Sequence, residues 1–258
     1  PVALPPYNRS SRVAPDGLHA AFTSSAPLTG YDNTDQQSGE ADAEVFLYDA
    51  TSEELHCVSC NPSGARPRGV DAGVAPLSFW AAAKIPGWYN QAHGSRALSE
   101  DGSRLFFEAT DSLSLQDTNG AQDVYQWEKP GTGTCATTFP TYSPTNKGCV
   151  ELISSGKSPE PSGLIDASKD GADVFFKTLS SLYPADPGLF DIYDARQGGG
   201  FPPPPPPTPA CEGEACQPPS SAPPAQTPAS ASFQGPGDTA EPQGPKRCRA
   251  KAKGSRAK

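Results

Sequence analysis

Ser99-Glu100-Asp101-Gly102-Ser103-Arg104-Leu105-Phe106-Phe107, followed after a polar stretch by Asp123-Val124-Tyr125-Gln126-Trp127, is the segment on which the fold turns. Asp-Gly between apolar runs is a strong hairpin signal, because glycine takes φ > 0 without steric cost. The aromatic and β-branched residues on either side fit a half-buried pleated surface. The pattern stands twice more. Arg12-Val13-Ala14-Pro15-Asp16-Gly17 leads to Ala20-Ala21-Phe22 and then to Glu44-Val45-Phe46-Leu47-Tyr48-Asp49. Asp166-Ala167-Ser168-Lys169-Asp170-Gly171 leads to Val174-Phe175-Phe176 and then to Asp191-Ile192-Tyr193-Asp194. Two copies continue into a further run, Leu55 to Ser59 and Val150 to Ser154. Each unit reads strand, Asp-Gly turn, strand, polar loop, strand, turn, strand.

A four-stranded antiparallel sheet repeated in tandem is a β-propeller blade. One blade alone cannot cover both of its faces, and stacking against neighbours does. The expected fold is all-β, with about three such units. The spacing is irregular. Asp16 and Asp101 are 85 residues apart and Asp101 and Asp170 are 69 apart, against about 40–45 for a compact blade. The excess lies in an aromatic insertion at 65–94 and in Lys129 to Gly148. The blades are expected at about 1–64, 95–156 and 157–197. A closed propeller carries ~4–8 blades, so further blades are expected before Pro1, in a longer parent chain.

Composition separates the rest. The chain has 258 residues with 25 Gly and 31 Pro, and 20 Lys+Arg against 29 Asp+Glu give a net charge of −9. Fifteen of the prolines follow Gly198, including the unbroken run Pro202 to Pro207, which favours polyproline II. Residues 198–245 read as a Pro/Gly/Ser/Ala-rich linker, too poor in apolar surface to offset ordering entropy. Residues 246–258 form a basic tail of Lys246, Arg247, Arg249, Lys251, Lys253, Arg256 and Lys258 with no acid among them. The tail suits an anionic polymer, and no aromatics interleave with its charges as single-stranded nucleic acid binding would ask. No apolar run approaches the ~18 residues that span a bilayer.

Ser99-Glu100-Asp101-Gly102-Ser103-Arg104-Leu105-Phe106-Phe107 with Asp123-Val124-Tyr125 resembles the WD40-like (PD40, TolB-type) propeller repeat, and Ala14-Pro15-Asp16-Gly17 is similar to its Ser-Pro-Asp-Gly turn. The chain as a whole resembles a group of secreted actinobacterial propeller proteins with a proline-rich C-terminal tail. The residues that carry this resemblance are Tyr31-Asp32-Asn33-Thr34-Asp35, Cys57-Val58-Ser59-Cys60-Asn61-Pro62-Ser63-Gly64, Gln116-Asp117-Thr118-Asn119-Gly120, the six prolines, and Cys211-Glu212-Gly213-Glu214-Ala215-Cys216. The resemblance implies an architecture and is nearly silent on activity, because fold does not imply function.

Seven cysteines pair by position into Cys57–Cys60, Cys135–Cys149 and Cys211–Cys216, with Cys248 left over. That usage argues for an oxidising, extracytoplasmic compartment. Cys57-Val58-Ser59-Cys60 also admits a redox site or half a zinc site. The repeat alignment places Cys57 opposite Leu152, at a core position. Asp117, Asn119 and Asp123 put oxygen side chains at positions 1, 3 and 7 of a loop, which fits the start of a calcium site, and Tyr31 to Asp35 is a second acidic loop. Turn chemistry explains the same residues. Trp80, Trp88 and Tyr89 offer a stacking groove for sugars or peptide, or else packing over a blade edge. His19, opposite Arg104 in the repeat, reads as an exposed strand residue. The chain carries no Gly-x-Ser-x-Gly, His-Glu-x-x-His or P-loop motif. The expected function is a secreted or cell-surface, non-enzymatic binding module for a protein or cell-wall glycopolymer, spaced or tethered by its tail. The alternative is an accessory propeller of an extracellular hydrolase or peptidase whose catalytic part precedes Pro1.

Overall fold

Alternation and Asp-Gly turns produce the second and third strands of every blade, while the second blade's first strand is reduced beside Asp101 to a single bridge at Leu98. The structure, a computed structural model, describes residues 11–72, 79–87, 94–183, 186 and 188–200. Among these residues every element is a strand: β1 (Ser11–Val13), β2 (His19–Ser24), β3 (Glu44–Asp49), β4 (Glu54–Cys57), β5 (Val70–Asp71), β6 (Trp80–Ala81), β7 (Ala83–Lys84), β8 (Arg104–Ala109), β9 (Asp123–Glu128), β10 (Tyr142–Ser143), β11 (Gly148–Leu152), β12 (Gly163–Ala167), β13 (Asp173–Thr178) and β14 (Asp191–Arg196). Trp88, Tyr89, Cys211, Cys216, Cys248, nearly all of the linker and the whole basic tail lie outside the described residues.

Three antiparallel sheets follow the three sequence copies. The first has the order β1-β2-β3-β4, the second β10-β11-β9-β8-β7 and the third β12-β13-β14. The second differs from a plain four-stranded blade in two ways. Residues 142–143, inside the Lys129–Gly148 excess, add a fifth strand against Gly148–Cys149. Ala83–Lys84, inside the 65–94 insertion, pair with Glu108–Ala109, while Leu98 bridges Leu105 on the same edge of β8. The insertion thus interrupts the blade's first strand. In the third sheet a bulge falls between Leu164 and Asp166, and among the described residues no fourth strand follows β14.

The Asp-Gly turns are built alike. Gly17, Gly102 and Gly171 have φ of 73°, 68° and 70°. Each donates its amide three residues back, to Ala14, Ser99 and Ser168 at 2.9, 3.1 and 3.0 Å. Each aspartate then accepts the amide two residues on: Leu18 on Asp16, Ser103 on Asp101 and Ala172 on Asp170. Asp just before the glycine does this because its short carboxylate reaches the backbone amide two residues on.

The registers put equivalent residues in equivalent cross-strand pairs. An aromatic pair recurs at Phe22–Phe46, Phe107–Tyr125 and Phe176–Tyr193, with ring centroids 5.8, 6.0 and 6.1 Å apart. Such pairs are favoured by packing beyond their buried area alone. An acid, a serine and an amide close the third strand onto the chain after the fourth. Ser59 Oγ donates to Glu44 and accepts from the Val45 amide. Ser154 Oγ does the same with Asp123 and Val124.

The sheets stack through one core. Val45 and Leu47 of the first, Leu105, Phe107, Val124 and Trp127 of the second, and Leu164, Val174 and Phe176 of the third belong to a single buried cluster. Phe46, Cys57 and Cys60 form a small separate cluster with Phe22, Tyr31 and Leu55 on the far side of the first sheet. Successive blades are also joined by arginines reaching forward: Arg12 Nε donates to Ser95 O at 2.8 Å, and Arg96 Nη1 to Ala167 O at 3.2 Å.

Candidate functional site

The start of the second strand and the end of the third set a basic side chain against an acidic one in every blade. His19 pairs with Asp49, Arg104 with Glu128, and Asp173 with Arg196 in the sheet registers. His19 is therefore not an exposed strand residue. It is 8% exposed, 3.6 Å from Asp49, and packed where a Cβ on Gly102 of the next blade would stand 2.1 Å from its Cγ. Sequence reading missed this because the covering group comes from another blade. Arg104 repeats the arrangement one blade on. It donates to Glu128 at 2.8 Å, to the Asp170 carbonyl at 2.7 Å and to Gln197 Oε1 at 3.0 Å. Burying such a charge is tolerable only with that degree of pairing.

Beside this pair, between the second and third sheets, lies a cavity of about 260 Å³. Gln126, Glu151 and Ile153 line it from the second sheet, Thr134 from the adjoining loop, and Arg196 and Gln197 from the third. Its walls come from strands β8, β9 and β11 of the second sheet, β13 and β14 of the third, and the turn at Gly171–Ala172. Glu151 accepts from Gln126 Nε2 at 3.2 Å and from Thr141 Oγ1 at 3.1 Å. Arg196 is bonded to Asp173 at 2.6 Å and to Asp194 at 2.9 Å. The cavity falls just below the roughly 300–1,000 Å³ usual for ligand pockets. With donors and acceptors of both charges, it suits one polar ring or side chain of a larger polymer.

Asp117, Asn119 and Asp123 do converge, but on protein partners. Asp117 Oδ2 accepts the Tyr125 hydroxyl at 2.5 Å. Asn119 turns its Nδ2, not its oxygen, to Asp123 Oδ2 at 2.7 Å, and its Oδ1 accepts the Ala121 amide at 2.9 Å. Asp123 Oδ1 holds Ser154 at 2.5 Å. Asp117 Oδ1 alone is buried without a donor. Burial pushes the Asp117 carboxyl up, against the Tyr125 hydroxyl that lowers it. The third blade repeats the tyrosine device: Tyr193 donates to Asp186 and accepts the Leu182 amide, as Tyr125 accepts that of Leu113. Among the described residues no three His, Cys, Asp or Glu side chains are arranged to hold a metal ion.

A second group of acids gave no sequence signal, because nothing marks it out among 29 carboxylates. Asp35, Asp42, Glu44 and Asp111 are all buried, where the 31–44 loop meets 61–71 and the end of the second blade's β8. Burial works against the Asp35 carboxylate, but the amides of Ser38, Gly69 and Gln37 and the Ser38 hydroxyl outweigh it and hold it at about 2. Asp42 meets no donor at either oxygen. Burial first, then the adjacent Asp35 carboxylate, raise it to about 7, against the Gly69 amide. Burial also pushes Glu44 well above the usual carboxylate range, with Ser59 opposing. Gly69 packs directly on this pair: a Cβ there would stand 1.9 Å from Asp42 Oδ1.

Cys57 and Cys60 are joined, as are Cys135 and Cys149, with Cα atoms 5.5 and 5.7 Å apart. All four are buried. Cys57 pairs with Phe46 as Leu152 does with Tyr125, which gives it the core position of its strand. Asn146, from the turn after β10, donates its Nδ2 to the carbonyls of Cys57, Val58 and Cys60, the nearest at 2.7 Å. Trp127 Nε1 holds the Asn146 carbonyl at 3.0 Å and its ring stacks on His56. Trp80 is half-buried in β6, opposite Asp71.

No protein-family model matches the sequence, and no curated protein does. A crystal structure of TolB from Acinetobacter baumannii is similar at 16% identity, over 76% of this chain and 44% of that one, with a TM-score of 0.18. A likeness that weak carries no argument, and the chain spans less than half of that structure's length. The architecture rests on the three sheets and their repeated joints, which make this chain an all-β protein of stacked propeller blades.

Proposed function

We propose that this chain is a secreted or cell-surface interaction module that binds a protein or a cell-wall glycopolymer without reacting with it. The observation that carries the reading is the polar cavity between the second and third blades. Strands and the turns between them line it, Arg104 is engaged with Glu128, and Glu151 accepts hydrogen bonds from Gln126 and Thr141. Such groups offer directed hydrogen bonds to a polymer unit and little spare proton-transfer capacity. The two disulfides favour an oxidising compartment, and no helix among the described residues is long and apolar enough to cross a membrane. The seven basic residues of 246–258 add charge attraction to an anionic wall polymer.

The test is retention on isolated cell walls at low and high salt. Full-length protein is expected to bind. Deleting 246–258 is expected to weaken binding mainly at low salt, and Glu151→Ala with Gln126→Ala to weaken it at both. Equal retention of all three forms would remove the reading.

A further inference from the structure

We propose that the cavity between the second and third blades receives a cationic side chain, arginine or lysine, of a partner protein. The inference rests on the reading that this cavity is the binding site, and it names what the site takes. Two guanidiniums and two carboxylates line the cavity: Arg104, Arg196, Glu128 and Glu151. Both guanidiniums are committed to the chain's own groups. Arg104 Nε pairs with Glu128 at 2.8 Å, and its terminal nitrogens donate to Asp170 O at 2.7 Å and Gln197 Oε1 at 3.0 Å. Arg196 pairs with Asp173 at 2.6 Å and Asp194 at 2.9 Å. An anion entering the cavity would have to displace one of these partners.

Glu151 stands apart from the other charges. Its two donors, Gln126 Nε2 at 3.2 Å and Thr141 Oγ1 at 3.1 Å, are both neutral, and among the described residues no basic side chain pairs with it. Each of its oxygens accepts one hydrogen bond, and a carboxylate oxygen has room for two. Gln126 spends an N–H on Glu151, and its amide oxygen is a further acceptor. Around the cavity four carboxylates, Glu128, Glu151, Asp173 and Asp194, thus stand against two guanidiniums. A neutral sugar ring seated here would take water from Glu151 and leave its charge uncompensated, whereas a cation compensates it. Ile153, Val174 and Ala195 supply an apolar wall, on which the methylene stem of lysine or arginine lies while its head reaches the polar groups. Residues 1–197 hold 25 acidic side chains against 13 basic ones, so the field of the blades draws a cationic partner in. The basic tail and the cavity then answer to opposite charges, the tail to an anionic polymer and the cavity to a basic protein.

The experiment is an amide NMR titration of the oxidised full chain with three small probes: Nα-acetyl-L-arginine methylamide, its neutral isostere Nα-acetyl-L-citrulline methylamide, and N-acetylglucosamine. The arginine probe is expected to give saturable shifts at Gln126, Glu151, Ile153 and Ala195. The citrulline probe is expected to bind at least about tenfold more weakly, and the sugar more weakly still. Glu151→Gln keeps an acceptor for Gln126 and Thr141 and removes the charge. It is expected to weaken the arginine probe about tenfold and to leave the citrulline probe unchanged. Glu40→Gln removes an exposed acid from the first blade and is expected to weaken neither, which separates a local contact from the general field. Should Glu151→Gln fail to fold, the arginine and citrulline probes on the wild-type chain decide. Equal binding of all three probes, or arginine shifts that Glu151→Gln leaves unchanged, would overturn the inference. The binding-module reading would then stand for a neutral polymer unit. No probe in the cavity, with wall retention still weakened by Glu151→Ala and Gln126→Ala, would also overturn the inference alone. Unchanged retention as well would remove both.

Discussion

Glycine is used twice over at the Asp-Gly turns, and the two uses separate by residue. At Gly17 only the backbone requires it: φ is 73° and no atom stands within 4 Å of a built Cβ. At Gly102 the backbone and the space both do, with His19 Cγ 2.1 Å from the Cβ. Gly17→Ala is expected to cost about 1 kcal/mol, the price of left-handed backbone. Gly102→Ala is expected to cost more, because His19 must leave its place between Asp49 and the turn. Urea denaturation of both variants checks this, and equal losses would mean that the His19 contact carries no energy. A second residue-scale expectation concerns pH. Unfolded, Asp42 titrates near 3.9; folded, it titrates at about 7. Between those values the folded chain holds a proton that the unfolded chain has released. Stability from this group is complete below about pH 4 and is lost as pH rises to about 7. Asp42→Asn has nearly the same shape and does not titrate. The variant is expected to lose less stability than wild type between pH 5 and 8. Parallel slopes would show that Asp42 is not the group.

At the scale of elements, the disulfides differ by what they close. Cys135–Cys149 spans 14 residues and ties the loop after β9 to the start of β11, whereas Cys57–Cys60 spans three. In the chain-entropy account, closing a loop of about 15 residues is worth about 3 kcal/mol and a very short loop less. Replacing Cys135 and Cys149 together by Ala is expected to lower the melting temperature more than reducing the loop closure at 57–60 would by entropy alone. Calorimetry of the paired variants measures it. Elements also show how far the sequence could be read. The Asp-Gly turns at 16–17, 101–102 and 170–171 announce their hairpins locally, and β2, β3, β8, β9, β13 and β14 lie where alternation placed them. Strand β7 was hidden, because Ala82-Ala83-Lys84 has no apolar alternation and owes its pairing to Glu108–Ala109, 25 residues on. The charged pairs His19–Asp49 and Arg104–Glu128 show in the register, but their burial depends on a turn from the next blade. The Asp35–Asp42 pair was illegible for the same reason: loops far apart in sequence bury it.

The whole molecule, over its described residues, is three blade sheets and the short β5–β6 pair, the blades sharing one main core, and the joints rather than the blades should set its stability. A single blade leaves one face of each sheet in water. Arg104 is the residue most directly astride a joint, bonded to Glu128 in its own blade and to Asp170 and Gln197 in the next. Arg104→Met leaves the Glu128 carboxylate buried and unpaired and is expected to cost about 3–5 kcal/mol, read as a lower urea midpoint with an unchanged slope. The most direct measurement of the stacked-blade account is native-state hydrogen exchange of the oxidised chain, comparing the slowest amides of β3, β9 and β13. One shared core predicts that all three open with the same free energy, equal to that of global unfolding, and that Arg104→Met lowers all three together. Separate opening energies, with β13 falling while β3 stays unchanged, would mean that the blades fold independently and would contradict the account.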